Sequence, residues 1–178
     1  AANHIAGNCL LKNEKSETLL FYYKNVGEAA GPVSKIGFAK SSDNRNFTTV
    51  KEGVLGPGKA GEWDSGGVSV FPNCIIQKAD GTYYMYYTGY SQGAPDFYSN
   101  GKGGIGLAFS KDLLEWRKFE KNPILVRDEK VSWESEGVFE PSVLFSGDEF
   151  GSPNAYQMWY GGNGKEGRMG IGYAESYD

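Results

Sequence analysis

The side chains best suited to chemistry in this chain are carboxylates set among tryptophans and bends. Glu140 stands in residues 133–145, WESEGVFEPSVLF, directly before Pro141 and at the entry to an apolar run. Glu136 lies four residues earlier, in the bend that leads to it. Two carboxyls are the minimal equipment for general acid–base work, since one donates a proton while the other stays ionised. On one extended strand Glu136 and Glu140 face the same side. They would stand ~13 Å apart there, so a joint role needs a bend between them. Asp64 and Glu134 each follow a tryptophan, Trp63 and Trp133, which recur 70 residues apart. An acid repeated in this way suits a structural task such as capping a turn. Asp64 and Trp133 also stand as candidate ligand contacts.

Residues 89–104, GYSQGAPDFYSNGKGG, have no counterpart in the first repeat and bring Asp96, Phe97 and Tyr98. A Gly-rich loop carrying flat rings suits ligand contact, and covering a sheet edge is the competing role. His4 is the single histidine and has no second ligand beside it, so no metal site is expected. Residues 162–167, GNGKEG, lack the Gly-Lys-Ser/Thr spacing of a phosphate loop and read as a hairpin turn. No Ser-His-Asp or Cys-His arrangement is recognisable, and no cofactor is expected. Cys9 and Cys74 fall in NCLL and NCII at matching places in two repeats, where the third offers Val143. That pattern describes a small buried site. Equivalent places in neighbouring repeats are expected a repeat width apart, which disfavours a disulfide.

The elements that must position these residues repeat along the chain. NCLLK, TLLFYYKN, KIGFAKSSD and NFTTVKEGVL form a first set, answered by NCIIQ, YYMYYTGY, GIGLAFSKD and EWRKFEKNPIL. PSVLF, YQMWYGG and GIGYAESYD follow as a third, shorter set. Ile36, Ile105 and Ile171 mark the period at 69 and 66 residues. Short segments rich in Tyr, Phe, Val and Ile, bounded by Gly, Asn, Asp and Ser, are strands. KDLLEWRKF could make one helical turn but also aligns with a closing strand. Four strands recurring at a fixed period predict an all-β fold of β-propeller-type blades, each of four antiparallel strands. The chain holds about two and three-quarter blades, read as one partial propeller domain with repeats near 5–62, 63–132 and 133–178. An open stack leaves an apolar face at each end. A second copy completing the propeller as a homodimer is the expected cover, with the further blades of a longer chain as the alternative.

Composition narrows the classes. A formal net charge of −4 with no long Lys/Arg run argues against nucleic acid as a partner. No apolar run approaches the roughly 18–20 residues of a membrane helix, so a soluble chain without a membrane partner is expected. The opening AANHIAGN has neither region of a signal peptide, yet an initial Ala suits processing. Location, cytoplasmic or secreted, is left open.

MYYTG and MWYGG, each followed by IGxA, then Trp, Asn-Pro and WE…EPSV, resemble the five-bladed propellers of glycoside hydrolase families 43 and 32. The resemblance covers nearly the whole chain and implies carbohydrate as substrate or ligand. It also implies acids near the start of the innermost strand in blades one, two and three, facing a central pocket. A Glu in the third blade is then the general acid. Glycosidic cleavage uses one protonated carboxyl at the leaving oxygen and one ionised carboxylate across the sugar. At the aligned positions this chain has Ala6, Phe71 and Glu140. The resemblance thus makes Glu140 the candidate general acid, and Glu136, not repeated and set in the bend before it, is the second candidate acid. Two functions remain open: a glycoside hydrolase, and a non-catalytic carbohydrate-binding or assembly module.

Overall fold

The computed structural model describes residues 5–26, 33–91, 103–146 and 156–177. Asp96, Phe97, Tyr98 and His4 lie outside them. The first blade consists of β1 (Ile5–Lys12), β2 (Thr18–Val26), β3 (Val33–Ser41) and β4 (Thr48–Leu55), antiparallel in chain order. In the second, a split inner strand, β5 (Gly67–Ser69) and β6 (Ile75–Gln77), pairs with β7 (Tyr83–Tyr90). β7 pairs with β8 (Gly104–Ser110), and β8 takes a split outer strand, β9 (Arg117–Lys118) and β10 (Leu125–Val126). The third blade holds β11 (Gly137–Phe145), β12 (Tyr156–Asn163) and β13 (Met169–Ser176). A short 3-10 turn, Lys165–Gly167, closes the β12–β13 hairpin where GNGKEG predicts a turn. The stretch KDLLEWRKF forms bends and β9 rather than a helical turn. No helix among the described residues is long and apolar enough to cross a membrane. The all-β fold of antiparallel blades agrees with the sequence expectation.

The period-marking Ile-Gly pairs have a physical reason. Tyr22, Tyr87 and Tyr160 stand directly opposite Gly37, Gly106 and Gly172 on the neighbouring strand. A Cβ on these glycines would lie 2.5, 2.5 and 2.2 Å from the tyrosine ring. Each glycine is therefore the seat of a ring that crosses the blade. Gly106→Ala should lower stability by about 1–3 kcal/mol, the usual cost of overpacking. Gly56→Ala, with nothing within 4 Å of the added carbon, should stay near neutral. Urea midpoints of the two variants check this, and equal midpoints would remove the seating role.

Strand alternation sends successive side chains of β7 to opposite blades. Met85 and Tyr87 join Phe21, Ile36 and Val68 in a core against the first blade. Tyr86 joins Ile105, Val138, Met158 and Tyr160 in a second core against the third. The same column then runs out of partners. Ile36 and Ile105 are fully buried, whereas Ile171 is 80% exposed. Trp159 and its cross-strand partner Tyr173 are also exposed there, as are Ile5 and Leu10 at the opposite end.

The cysteines depart from expectation. They are free and buried as anticipated, but they are not a repeat width apart. Their thiols meet in hydrogen-bonding contact, which draws Cys9 down, while burial pushes Cys74 well up. Blade one packs its inner strand directly on the inner strand of blade two, so equivalent positions touch across the interface. The third copy of this column is Ser142, not Val143: Cys9 pairs Phe21 as Ser142 pairs Trp159, and Tyr86 bonds the Cys74 carbonyl.

Candidate functional site around Glu140

Each inner strand is interrupted by a bulge, and the three bulges meet. β1 shifts register between Ala6 and Cys9, and β11 between Phe139 and Ser142. The second blade leaves β5 after Ser69 and resumes pairing at Ile75. Gly7, Asn73 and Glu140 hold left-handed backbone, with φ of 63°, 58° and 54°. Glu140 thus stands in the place of Gly7, not of Ala6. The bulge adds residues that a straight alignment misplaces. Left-handed backbone costs a non-glycine residue about 1–2 kcal/mol, and such strain concentrates at working sites. Here the Glu140 amide is held by a 2.9 Å bond to Thr88 Oγ1, and the Val143 amide donates to Asn73 O at 2.8 Å.

Around this meeting point lie Tyr23, Phe71 and Tyr90. Gly7 packs so closely that a Cβ would sit 2.4 Å from Val70 O and 2.6 Å from the Tyr23 ring. The rings of Tyr23 and Phe71 are 6.1 Å apart. Burial raises the Tyr23 phenol above its ordinary value, and the negative charge of Glu140 raises it further. Glu140 therefore faces Tyr23 closely enough to be felt. Tyr90 is buried with its hydroxyl 3.1 Å from Ser34 Oγ, which donates to Val68 O at 2.9 Å. The half-buried Glu140 thus lies within electrostatic reach of Tyr23, whose ring stands 6.1 Å from that of Phe71.

The other acids go elsewhere. Glu136 has its amide bonded to Asn163 O at 2.9 Å and lines a groove with Lys165, Glu166 and Arg168 of the hairpin turn. That groove does not include Glu140. Asp64 is 1% exposed, and its Oδ2 accepts from Lys118 Nζ at 2.6 Å and Tyr87 OH at 3.1 Å. Burial and these two bonds suit the structural task that its repetition suggests. Trp63 stacks on Tyr87, and Asn122 Nδ2 donates to the same phenol at 3.1 Å. Trp133, the other candidate contact, packs over Gly162, Gly170 and Tyr160, above Glu134, which accepts from Tyr160 OH at 3.0 Å. Each Trp-acid pair therefore brackets its own blade.

Sequence reasoning missed Gly7, Tyr23 and Lys118. The signal for Gly7 was present. Setting Cys9, Cys74 and Ser142 in one column places Gly7, Pro72 and Glu140 two residues before them.

No family model matches the chain. It is similar to a 1,2-β-oligomannan phosphorylase from Thermoanaerobacter sp., 34% identical over 86 residues, or 48% of this chain and 26% of that protein. Among solved structures, a glycoside hydrolase superposes with TM-score 0.73 at 19% identity, over 100% of this chain and 57% of that one. A second, from the GH130 family of mannoside phosphorylases containing glycoside hydrolases that target β-1,2 mannosidic linkages, superposes with TM-score 0.65 at 20% identity. It covers 99% of this chain and 47% of that one. The chain spans about half the length of these solved chains and about a quarter of the curated relative. Its fold is that of the β-propeller glycoside hydrolases, over part of their length.

Proposed function

We propose that this chain is one partial propeller domain acting on carbohydrate, with Glu140 as the general acid and β-linked mannosides as the first substrate class. The observation that carries the reading is Glu140 itself: a carboxylate in left-handed backbone where the first blade has Gly7, facing Tyr23. In this reading Glu140 protonates the departing glycosidic oxygen while the rings of Tyr23 and Phe71 cover apolar sugar surface. Water as the acceptor gives hydrolysis, and inorganic phosphate gives phosphorolysis. The mannan-directed names among the relatives support the substrate class.

A two-copy ring extends the proposal. The exposed Trp159–Tyr173 face of one copy continues the column that packs blade on blade within the chain. The Ile5–Leu10 face of a second copy is its counterpart, so two such contacts close a two-fold ring. A partner's Glu140 would then supply the second carboxylate. A non-catalytic binding module is the second reading, favoured by Gly7 at the equivalent position and by the bracketing role of Asp64.

The test is turnover of β-mannosides and a panel of other aryl glycosides, with and without phosphate, alongside sedimentation equilibrium. Turnover per chain that rises with dimer fraction is the expected result. Glycan binding without turnover supports the binding module. A monomer mass at every concentration overturns the ring.

A further inference from the structure

We propose that Cys9 and Cys74 form an oxidation site, at which hydrogen peroxide converts two buried thiols into a disulfide joining the inner strands of the first two blades. This inference stands without any glycan chemistry. It rests on how closely β1 packs against the broken inner strand of the second blade.

The two segments meet along a seam. A Cβ on Gly7 would lie 2.4 Å from Val70 O, and the rings of Tyr23 and Phe71 stand 6.1 Å apart across it. Cys9 and Cys74, 65 residues apart in the chain, are free, wholly buried and in one core cluster. Their thiols are hydrogen-bonded to each other. Among the described residues β1 pairs only with β2, so no strand ladder fixes its distance from the second blade. Both cysteines also sit at irregular backbone. β1 changes register between Ala6 and Cys9, and Cys74 follows the left-handed Asn73 in the gap between β5 and β6. Backbone of this kind can shift to bring two sulfurs together where a regular ladder would resist.

The surroundings give the two thiols different tasks. The Cys74 thiol draws Cys9 below its ordinary value against the opposing effect of burial, and the amides of Cys74, Ile75 and Asn73 add to it. Burial pushes Cys74 well up, so it keeps its proton. The thiolate is the nucleophile toward peroxide. Cys9 therefore attacks one peroxide oxygen, the O–O bond breaks, and the departing hydroxide takes up a proton as water. The Cys9 sulfenic acid then meets the Cys74 thiol. The S–S bond forms, the S–OH bond breaks, and the hydroxyl leaves with the Cys74 proton as a second water. Two electrons pass from the sulfurs to the peroxide. A pair with no exposed surface excludes a bulky disulfide oxidant, whereas hydrogen peroxide is small enough to enter through local opening.

The test treats the folded full chain with hydrogen peroxide, then unfolds, alkylates and maps it by peptide mass, which reads the cysteines apart from the methionines. Cys9 and Cys74 should be found cross-linked within one chain and unalkylated. The unfolding constant in urea should fall about 30–1,000-fold, the range for a disulfide that closes a long loop, and reduction should restore it. In Cys74→Ser the Cys9 sulfenic acid has no resolving thiol and should be trapped by dimedone, whereas Cys9→Ser should give no adduct. Serine suits both places, since Ser142 fills the third copy of the column. Two alkylated cysteines after peroxide treatment of the unsubstituted chain overturn the proposal. So do cysteines that gain oxygen without a cross-link, a cross-link between two chains, a cross-link that leaves the urea midpoint unchanged, or a dimedone adduct on Cys74 in Cys9→Ser.

Discussion

Lys118→Met should lower the free energy of unfolding by about 3–5 kcal/mol, the cost of stranding one partner of a buried ion pair. Asp64 is almost wholly buried and bonds the ammonium at 2.6 Å, while Lys118 keeps about a quarter of its side chain in solvent. Removing the lysine leaves a carboxylate that cannot reach water. Among the described residues its remaining hydrogen-bond partner is Tyr87, itself pinned by Gly106 and Asn122. The double variant Asp64→Asn with Lys118→Met should recover most of the loss, since no charge is then buried. Equilibrium urea unfolding of the three proteins gives the answer. A loss below about 1 kcal/mol in Lys118→Met would mean that the pair behaves like a surface salt bridge.

Glu140→Gln should reduce turnover by about 10²–10⁴-fold, the contribution typical of a general acid. Gln keeps the shape and the backbone bond to Thr88 but carries no exchangeable acid proton. Stability should stay within about 0.5 kcal/mol, as for a half-exposed substitution. Glu140→Gly separates chemistry from folding more sharply. It reproduces the residue at Gly7, suits a φ of 54°, and should leave stability equal or higher while removing turnover. Measured rates that are unchanged in Glu140→Gln remove this residue from the mechanism, whatever the stabilities show.

The repeat was legible because it is written in local terms. Ile36, Ile105 and Ile171, each followed by a glycine, lie in the first half of β3, β8 and β13, and the aromatic segments became β2, β7 and β12. Glu140 stood out because only one copy carries an acid there. Its true counterpart, Gly7, was hidden by the bulges, which change the residue count within a strand without altering its apolar pattern. The bracket of Asp64 by Lys118 was invisible for another reason. The partners are 54 residues apart and meet only because β9 folds back along β8. Tyr23 likewise looks like one more aromatic of a strand until the first blade is set beside the bulge of the third.

One feature of the topology bears on how the site opens. The first two blades share a continuous ladder through the single Ser34–Gly67 bridge, whereas the third is a sheet of its own. It is held by the packing of Tyr86 and Ile105 on Met158, by Lys78 over Phe145 and bonded to Tyr156 OH, and by bonds at Glu140 and Val143. Such a unit has its own local unfolding equilibrium, with a free energy below that of the whole molecule. Glu140 lies on this unit and Tyr23 and Phe71 on the first two blades, so an opening between them would separate acid from rings. Anything that binds between them closes the unit in proportion to its own affinity.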